Sequence, residues 1–357
     1  MARGRMRRFA TVAAAACLGL LSPASRAIAD DGDARGLRIE FVDVQGGAAT
    51  LIVTPEGESI LVDSGWPGEN GRDPDRIVRA LKAAGRERID HLVTTHWHMD
   101  HYGGVAGLAE RVEIVRFWDR GLPEDGPGGD FPDGPKADDP LAIAYREASR
   151  GKRTALKPGD KLPLRGDISA VVLAASGETI AAPAGAAHNP RCESAPADHQ
   201  PDRSDNAMSI VLKFRLGDFD FLDCGDLTWN IEKNLVCPVD LVGAVDLFQV
   251  THHGMDISNH PTFLATIAPT VAVTNNGPRK GGAAATFHRL KSLPSVRAVY
   301  QHHRNAQTGD EDNADPSMIA NVDPAGGRNI RVTVAPDGKT YAVQLGDDGP
   351  GRTFESK

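Results

Sequence analysis

Apolar and polar positions alternate along Leu37-Arg38-Ile39-Glu40-Phe41-Val42-Asp43-Val44, which predicts a strand with one face on a core. Two more strands are predicted over residues 48–54 and 59–62, separated by the turn Pro55-Glu56-Gly57-Glu58. The pattern then changes. Asp73-Pro74 caps a helix running through Ile77, Val78, Leu81 and Ala84 and closed by Gly85. Residues 89–94 read as a buried strand. Gly103-Gly104 with Val105 and Leu108 read as a turn into a helix, and 112–118 as the next strand.

Residues 119–160 are rich in Gly, Pro and acid and predict a long loop, then a short helix over 140–149. A strand over 168–173 precedes a second irregular stretch, 176–206. Strands over 207–214 and 219–222 are joined by Gly217-Asp218. A helix through Trp229, Ile231 and Leu235 leads to an apolar strand, 245–250. From Pro261 the pattern gives a helix, a strand (270–274), a Gly-rich loop (277–282), a helix (284–293) and a strand (296–300). An acidic loop, 304–325, and a hairpin over 329–334 and 340–345 with Asp337-Gly338 at its turn complete the chain. Strands first, then strands alternating with helices, predict an α/β sandwich.

The chemistry collects at predicted strand ends. The strand 89–94 runs into His96-Trp97-His98-Met99-Asp100-His101, three histidines and a carboxylate in six residues of a chain with 12 His. On a loop such side chains converge without helical or strand spacing keeping them apart. His96 and His98 can face one way and Asp100 and His101 the other. Imidazole nitrogen suits zinc and a carboxylate is an acceptable further ligand, so two metals can share the loop. Asp226 follows strand 219–222; a lone Asp beside Gly serves equally as a turn residue or helix cap. His252-His253-Gly254 follows strand 245–250. Adjacent histidines can serve two metals, or one can bind metal while the other contacts substrate; the residues leave this open.

The motif His96-x-His98-x-Asp100-His101 after a strand resembles that of the metallo-β-lactamase superfamily. The resemblance implies that family's four-layered αββα sandwich as a single domain over residues 30–357, with its core over about 37–345. It implies metal ligands at His96, His98, Asp100, His101, Asp226, His252 and His253. Asp226 would bridge two ions, and Asp63 would support the metal loop from behind. Asp100, which would orient water, and His253 are the candidate catalytic residues. Phe41-Val42-Asp43-Val44-Gln45-Gly46-Gly47-Ala48 is similar to the Asp-Val-Gly-Gln-Gly signature of the nuclease-like domain of ComEC-type competence proteins, with one Gly missing. Ser204-Asp205-Asn206-Ala207-Met208-Ser209, Gly225-Asp226 and Thr251-His252-His253-Gly254 are also similar to that subgroup. Many superfamily members carry a further His between the first motif and the bridging Asp. Here only His188 and His199 lie in that interval, both without a motif. His91, His260, His288, His302 and His303 are assigned to surface or satisfied polar positions.

Composition adds a compartment. Arg-rich residues 1–8, the apolar run from Phe9 to Leu21 and Ala27-Ile28-Ala29 predict a signal peptide over 1–29, cleaved before Asp30. The expectation is an exported protein, periplasmic or extracellular, without stable membrane insertion. Removing residues 1–29 takes away five arginines and no acids, moving the formal charge from −8 to −13. That balance argues against extended nucleic acid as a partner. Cys192, Cys224 and Cys237 permit one disulfide, without specifying which. The function expected is a binuclear zinc hydrolase, Mn or Fe being alternatives, that uses a metal-activated hydroxide on a phosphoester, most specifically a phosphodiester. The alternatives are hydrolysis of a lactone, β-lactam or other acyl bond at the same metals, and a non-catalytic metal-binding protein.

Overall fold

A computed structural model describes Met1 and residues 36–122 and 133–357. Apart from Met1, the predicted signal peptide lies outside the described residues, as does the central part of the predicted loop 119–160. The strands are β1 (Leu37–Phe41), β2 (Thr50–Val53), β3 (Ser59–Val62), β4 (Arg88–Val93), β5 (Glu113–Asp119), β6 (Arg153–Ala155), β7 (Ser169–Ala175), β8 (Glu178–Thr179) and β9 (Val211–Leu216). They continue with β10 (Phe219–Asp223), β11 (Leu247–Gln249), β12 (Val271–Thr274), β13 (Ala298–His303), β14 (Ile319–Asn321), β15 (Ile330–Val334), β16 (Thr340–Leu345) and β17 (Arg352–Glu355). The helices are α1 (Arg72–Ala83), α2 (Met99–Tyr102), α3 (Val105–Ala109), α4 (Pro140–Ser149), α5 (Trp229–Asn234), α6 (Pro261–Ile267) and α7 (Ala284–Lys291).

The strands form two sheets. One has the order β17-β16-β15-β1-β2-β3-β4-β5-β6, the other β14-β13-β12-β11-β10-β9-β7-β8. Alternation along single strands explains how they stack. In β3, Ile60 and Val62 join the core between the sheets, while Leu61 faces Ile77 and Leu81 of α1. In β10 and β11, Phe221 and Leu247 point into the same central core, whereas Leu222 and Phe248 face Phe263 and Leu264 of α6. Strands covered on both faces read as continuous apolar runs, as these do. Phe41 and Phe221 meet edge to face across the sheets, centroids 5.8 Å apart. The layers are therefore helix, sheet, sheet, helix: the αββα sandwich. Among the described residues no helix is long and apolar enough to cross a membrane.

Several predicted boundaries move. Helix α4 spans the predicted residues, with Asp139 accepting from Leu141 N at its start. The strand predicted over 207–214 begins at Val211, because Asp205–Met208 form a 3-10 turn in which Asp205 accepts from Trp97 N of the His96–His101 loop. The turn Gly103-Gly104 separates two short helices rather than opening one. The acidic loop 304–325 contains β14, which pairs with β13. The fold extends past the predicted core limit of 345, because β17 pairs with β16 and stacks Phe354 on Tyr341.

Candidate metal centre

Two adjacent parallel strands from each sheet deliver the site: β3 and β4 from one, β10 and β11 from the other. Asp63, the loop 94–102, Asp226 and His252-His253 follow their C-terminal ends, where open α/β sheets place ligands. The loop is pinned before it reaches its ligands. Thr94 N donates to Trp118 O (2.8 Å), Thr95 N to Asp63 Oδ1 (2.8 Å) and Ile210 N to Thr95 O (2.9 Å). Trp97 N donates to Asp205, whose carboxylate also pairs with the buried Arg120. Asp63, His252 and His253 adopt left-handed backbone angles (φ 62°, 55° and 52°). For residues other than Gly this is a strained choice, and it clusters where side chains must be aimed.

The aim is Asp226. Its Oδ2 lies 3.2 Å from His101 Nε2, 3.2 Å from His253 Nε2, 3.4 Å from His252 Nε2 and 4.0 Å from His96 Nε2. Asp100 Oδ2 lies 3.4 Å from His101 Nε2 and 3.1 Å from His253 Nε2. One ligand atom from each of Asp100, His101, Asp226 and His253 falls within 4.8 Å of the others, and all four residues are buried. His101 Nδ1 donates to Asp63 Oδ2 at 2.7 Å, leaving Nε2 for the centre. His96 Nε2 and His253 Nδ1 are buried without a hydrogen-bond partner among the described residues.

Electrostatics agree with a cation site. Burial alone would raise the Asp226 carboxyl, but the charges of His101, His253 and His252 hold it well below the usual carboxylate range. Asp100 is likewise held down, against burial, by His101 and His253. Burial keeps the His96 imidazole neutral, well below its ordinary value, and pushes His252 down to about 4. His101 and His253 are instead raised above the ordinary imidazole value, against burial, by Asp226 and the neighbouring carboxylates, so a cation would displace protons there to gain neutral ligands. An orphaned, buried imidazole nitrogen facing a carboxylate is the partner such an ion would satisfy, so the residues present fit one.

Of the residues expected from the sequence, six converge: His96, Asp100, His101, Asp226, His252 and His253. His98 departs. Its Nε2 pairs with Asp133 at 2.9 Å, on the half-exposed side of the loop, and Asp133 also accepts from Asp205 N. The His98 ring still packs edge to face on His96, centroids 4.8 Å apart, but its Nε2 is engaged by Asp133 rather than directed at Asp226. His188 and His199 do not enter the centre. His188 forms a bridge with Val239, and His199 stacks on Trp229 at 4.1 Å. His302 and His303 are buried: His302 Nε2 donates to Phe41 O and His303 Nε2 pairs with Asp43, while His303 Nδ1 has no hydrogen-bond partner among the described residues. Sequence reasoning missed Asp205 as a support and Lys280, whose ammonium pairs with Asp100. The only sequence signal for Lys280 was its place in a Gly-rich loop.

The profile of the family described as Metallo-beta-lactamase superfamily matches residues 42–171. Residues 42–171 are thus similar to a metallo-beta-lactamase superfamily domain. A stretch of 66 residues is 30% identical to Beta-lactamase-like protein 2 homolog of Caenorhabditis elegans, covering 18% of this chain and 22% of that protein. A further match, 37% over 68 residues, is to the UPF0173 metal-dependent hydrolase of Herpetosiphon aurantiacus, covering 19% and 26%. The matches thus span about a quarter of the length of these relatives. Among solved structures, the chain is similar to Rm3 metallo-beta-lactamase, at 14% identity and TM-score 0.35 over 80% of this chain and 86% of that one. It is also similar to CmlA, a diiron beta-hydroxylase from Streptomyces venezuelae, at 18% identity and TM-score 0.40 over 67% and 44%.

Proposed function

We propose that this chain is a metal-dependent hydrolase of a phosphoester, most specifically a phosphodiester. The observation that carries the hydrolase reading is the convergence of His101, His253, Asp100 and Asp226 from loops of both sheets. The superfamily profile and the match to a metal-dependent hydrolase support it. His101, His253, Asp100 and Asp226 would hold one divalent cation, and His96 and His252, beside the same Asp226 oxygen, would serve a second. Zinc suits this imidazole and carboxylate set, with manganese or iron as substitutes. A bound cation of this kind supplies a Lewis acid and a water acidified toward neutral pH.

The chain's own groups do the rest. Asp63 holds His101 in one tautomer by accepting from Nδ1. Asp100, an ionised carboxylate at the mouth, accepts a hydrogen bond from the attacking water and orients it. The phosphodiester preference rests on the ComEC-like stretches: the loop after Asp43, the Ser204–Ser209 turn and Thr251-His252-His253-Gly254. In the fold these meet. The loop after Asp43 bonds the metal loop through Ala48 N to Asp100 O (3.1 Å), and Ser209 Oγ accepts from Asp226 N (3.2 Å).

The reading includes export. It is supported by the signal-peptide pattern and by the disulfide Cys192–Cys237, a bond that persists in oxidising compartments. The test is elemental analysis of the purified protein, followed by assays with bis(p-nitrophenyl) phosphate and a diester panel beside nitrocefin and acyl-lactones. Bound cations with diester turnover are expected. A fully metallated protein that leaves every diester intact would sink the phosphoester reading.

A further inference from the structure

Lys280 lies on the loop between β12 and α7, outside every motif read in the sequence. Its ammonium is paired with Asp100 Oδ2, the oxygen that also faces His101 and His253. The same ammonium sits over the Trp66 ring, 4.8 Å from the centroid. The Lys280 side chain is 33% exposed, against 8% for Asp100. Its charge therefore stands where the buried donor set opens to solvent.

The loop is built to hold it there. Gly277 N donates to Lys280 O (2.8 Å), Gly282 N to His253 O (2.8 Å) and Ala283 N to Gly254 O (3.0 Å). Asn305 Nδ2 donates to Gly281 O and Gly282 O. With so many backbone bonds, the loop does not depend on the Lys280–Asp100 pair, and a partly exposed pair contributes little to stability. An ammonium has three donors. Asp100 engages one and the face of Trp66 attracts the charge, which leaves donors for a ligand. The centre also gathers Asp63, Asp100, Asp223 and Asp226, all buried. A substrate anion approaching these carboxylates gains from a fixed positive charge at the rim.

We infer that Lys280 is the residue with which this site recognises a phosphoryl oxyanion at its mouth. The inference rests on the phosphoester reading above and names the group that would select for it. Lysine binds phosphoryl oxygen as a point charge through charge-assisted hydrogen bonds. Because Asp100 takes part in the cation site, Lys280 acts on the ligand bound beside the cation and does not itself hold the cation.

The experiment uses the full-length, metal-loaded protein and inorganic phosphate as the probe, measured by isothermal titration. Cation content is determined in parallel for wild type, Lys280→Met and Lys280→Arg. Lys280→Met is expected to weaken phosphate about tenfold or more, the usual scale for losing a charged hydrogen bond, with cation content unchanged. Lys280→Arg keeps the charge and is expected to retain most of the affinity. On bis(p-nitrophenyl) phosphate, KM should rise by a similar factor while kcat changes less. Lys280-dependent phosphate binding without diester turnover would support anion recognition while removing the phosphoester substrate. Phosphate binding within about twofold of wild type in Lys280→Met, or a changed cation content in that variant, would overturn the inference.

Discussion

Asp63 Oδ2 accepts the Nδ1 hydrogen of His101 at 2.7 Å, and both side chains are almost wholly buried. The same carboxylate accepts from Thr95 N and Thr95 Oγ1 at 2.8 Å each. One residue at the end of β3 thus fixes both the start of the metal loop and the ring that presents Nε2 to Asp226. Asp63→Asn keeps the shape but removes the charged acceptor. Cation affinity should fall about 10–100-fold, the usual consequence of losing an outer partner of a ligating histidine. Competition with a chromophoric chelator measures it, and an unchanged affinity would mean that His101 is oriented by packing alone.

Asp226 is the point toward which four histidines from both halves of the chain are aimed. Asp226→Ala should cost more than Asp63→Asn, because it removes the shared oxygen itself. Elemental analysis is expected to find the cation largely gone and hydrolysis reduced to background. Full cation retention in this variant would break the bridging assignment.

Gly281 has φ +76°, and a Cβ there would lie 2.2 Å from His253 O. Gly281→Ala must therefore push apart the Lys280 loop and the histidine loop. A destabilisation of about 1–3 kcal/mol, the scale of a strained backbone position, is expected in urea denaturation, together with lost activity. An alanine variant of native stability would show that the two loops move apart freely.

Burial pushes His302 down to about 4, against about 6.5 in an unfolded chain. The folded state thus holds the ring neutral while the unfolded state binds a proton first. The stability this contributes is fully present above pH 6.5 and is lost as pH falls from 6.5 toward 4. Each pH unit in that window is worth about 1.4 kcal/mol for one fully coupled group. Denaturation midpoints of wild type and His302→Asn at pH 7, 5.5 and 4.5 should converge as the pH falls. Parallel curves would show that His302 is not the acid-sensitive group.

Cys192 and Cys237 are joined across 45 residues, while Cys224 is a buried free thiol. The bond ties the turn Pro190–Ser194 to the segment that follows α5. Replacing both cysteines by serine should lower stability by about 2–5 kcal/mol, read by thermal unfolding with and without reductant. A reductant-insensitive wild type would contradict the pairing.

Local patterning made much of the architecture legible. The run Ile60-Leu61-Val62 reads as a strand from its apolar residues between two turns, and its packing shows that both faces are covered. Pro140 through Ser149 carries its own start signal, and α4 follows it. The loop from His96 to His101 announced metal chemistry because its residues are close in sequence. Patterning failed where polar groups had been recruited from a distance. Asp205–Met208 form a 3-10 turn rather than part of a strand because Asp205 supports Trp97, and β14 is too short to stand out from its acidic loop.

Most strands and helices and the α/β class were readable from the chain alone, and the likeness of the His96–His101 stretch to a known family pointed to most candidate ligands. These depend on periodicities and strand-end residues that span a few positions. Only the tertiary structure decided which side chains meet: Asp226 with His101 and His253, Asp43 with His303, Cys192 with Cys237, Lys280 with Asp100, and His98 with Asp133. Folding brings these pairs together from up to 260 positions apart, some within one half of the sandwich and others across its two sheets. The energy of a buried charge depends on what surrounds it in space, and that leaves no periodic trace along the chain.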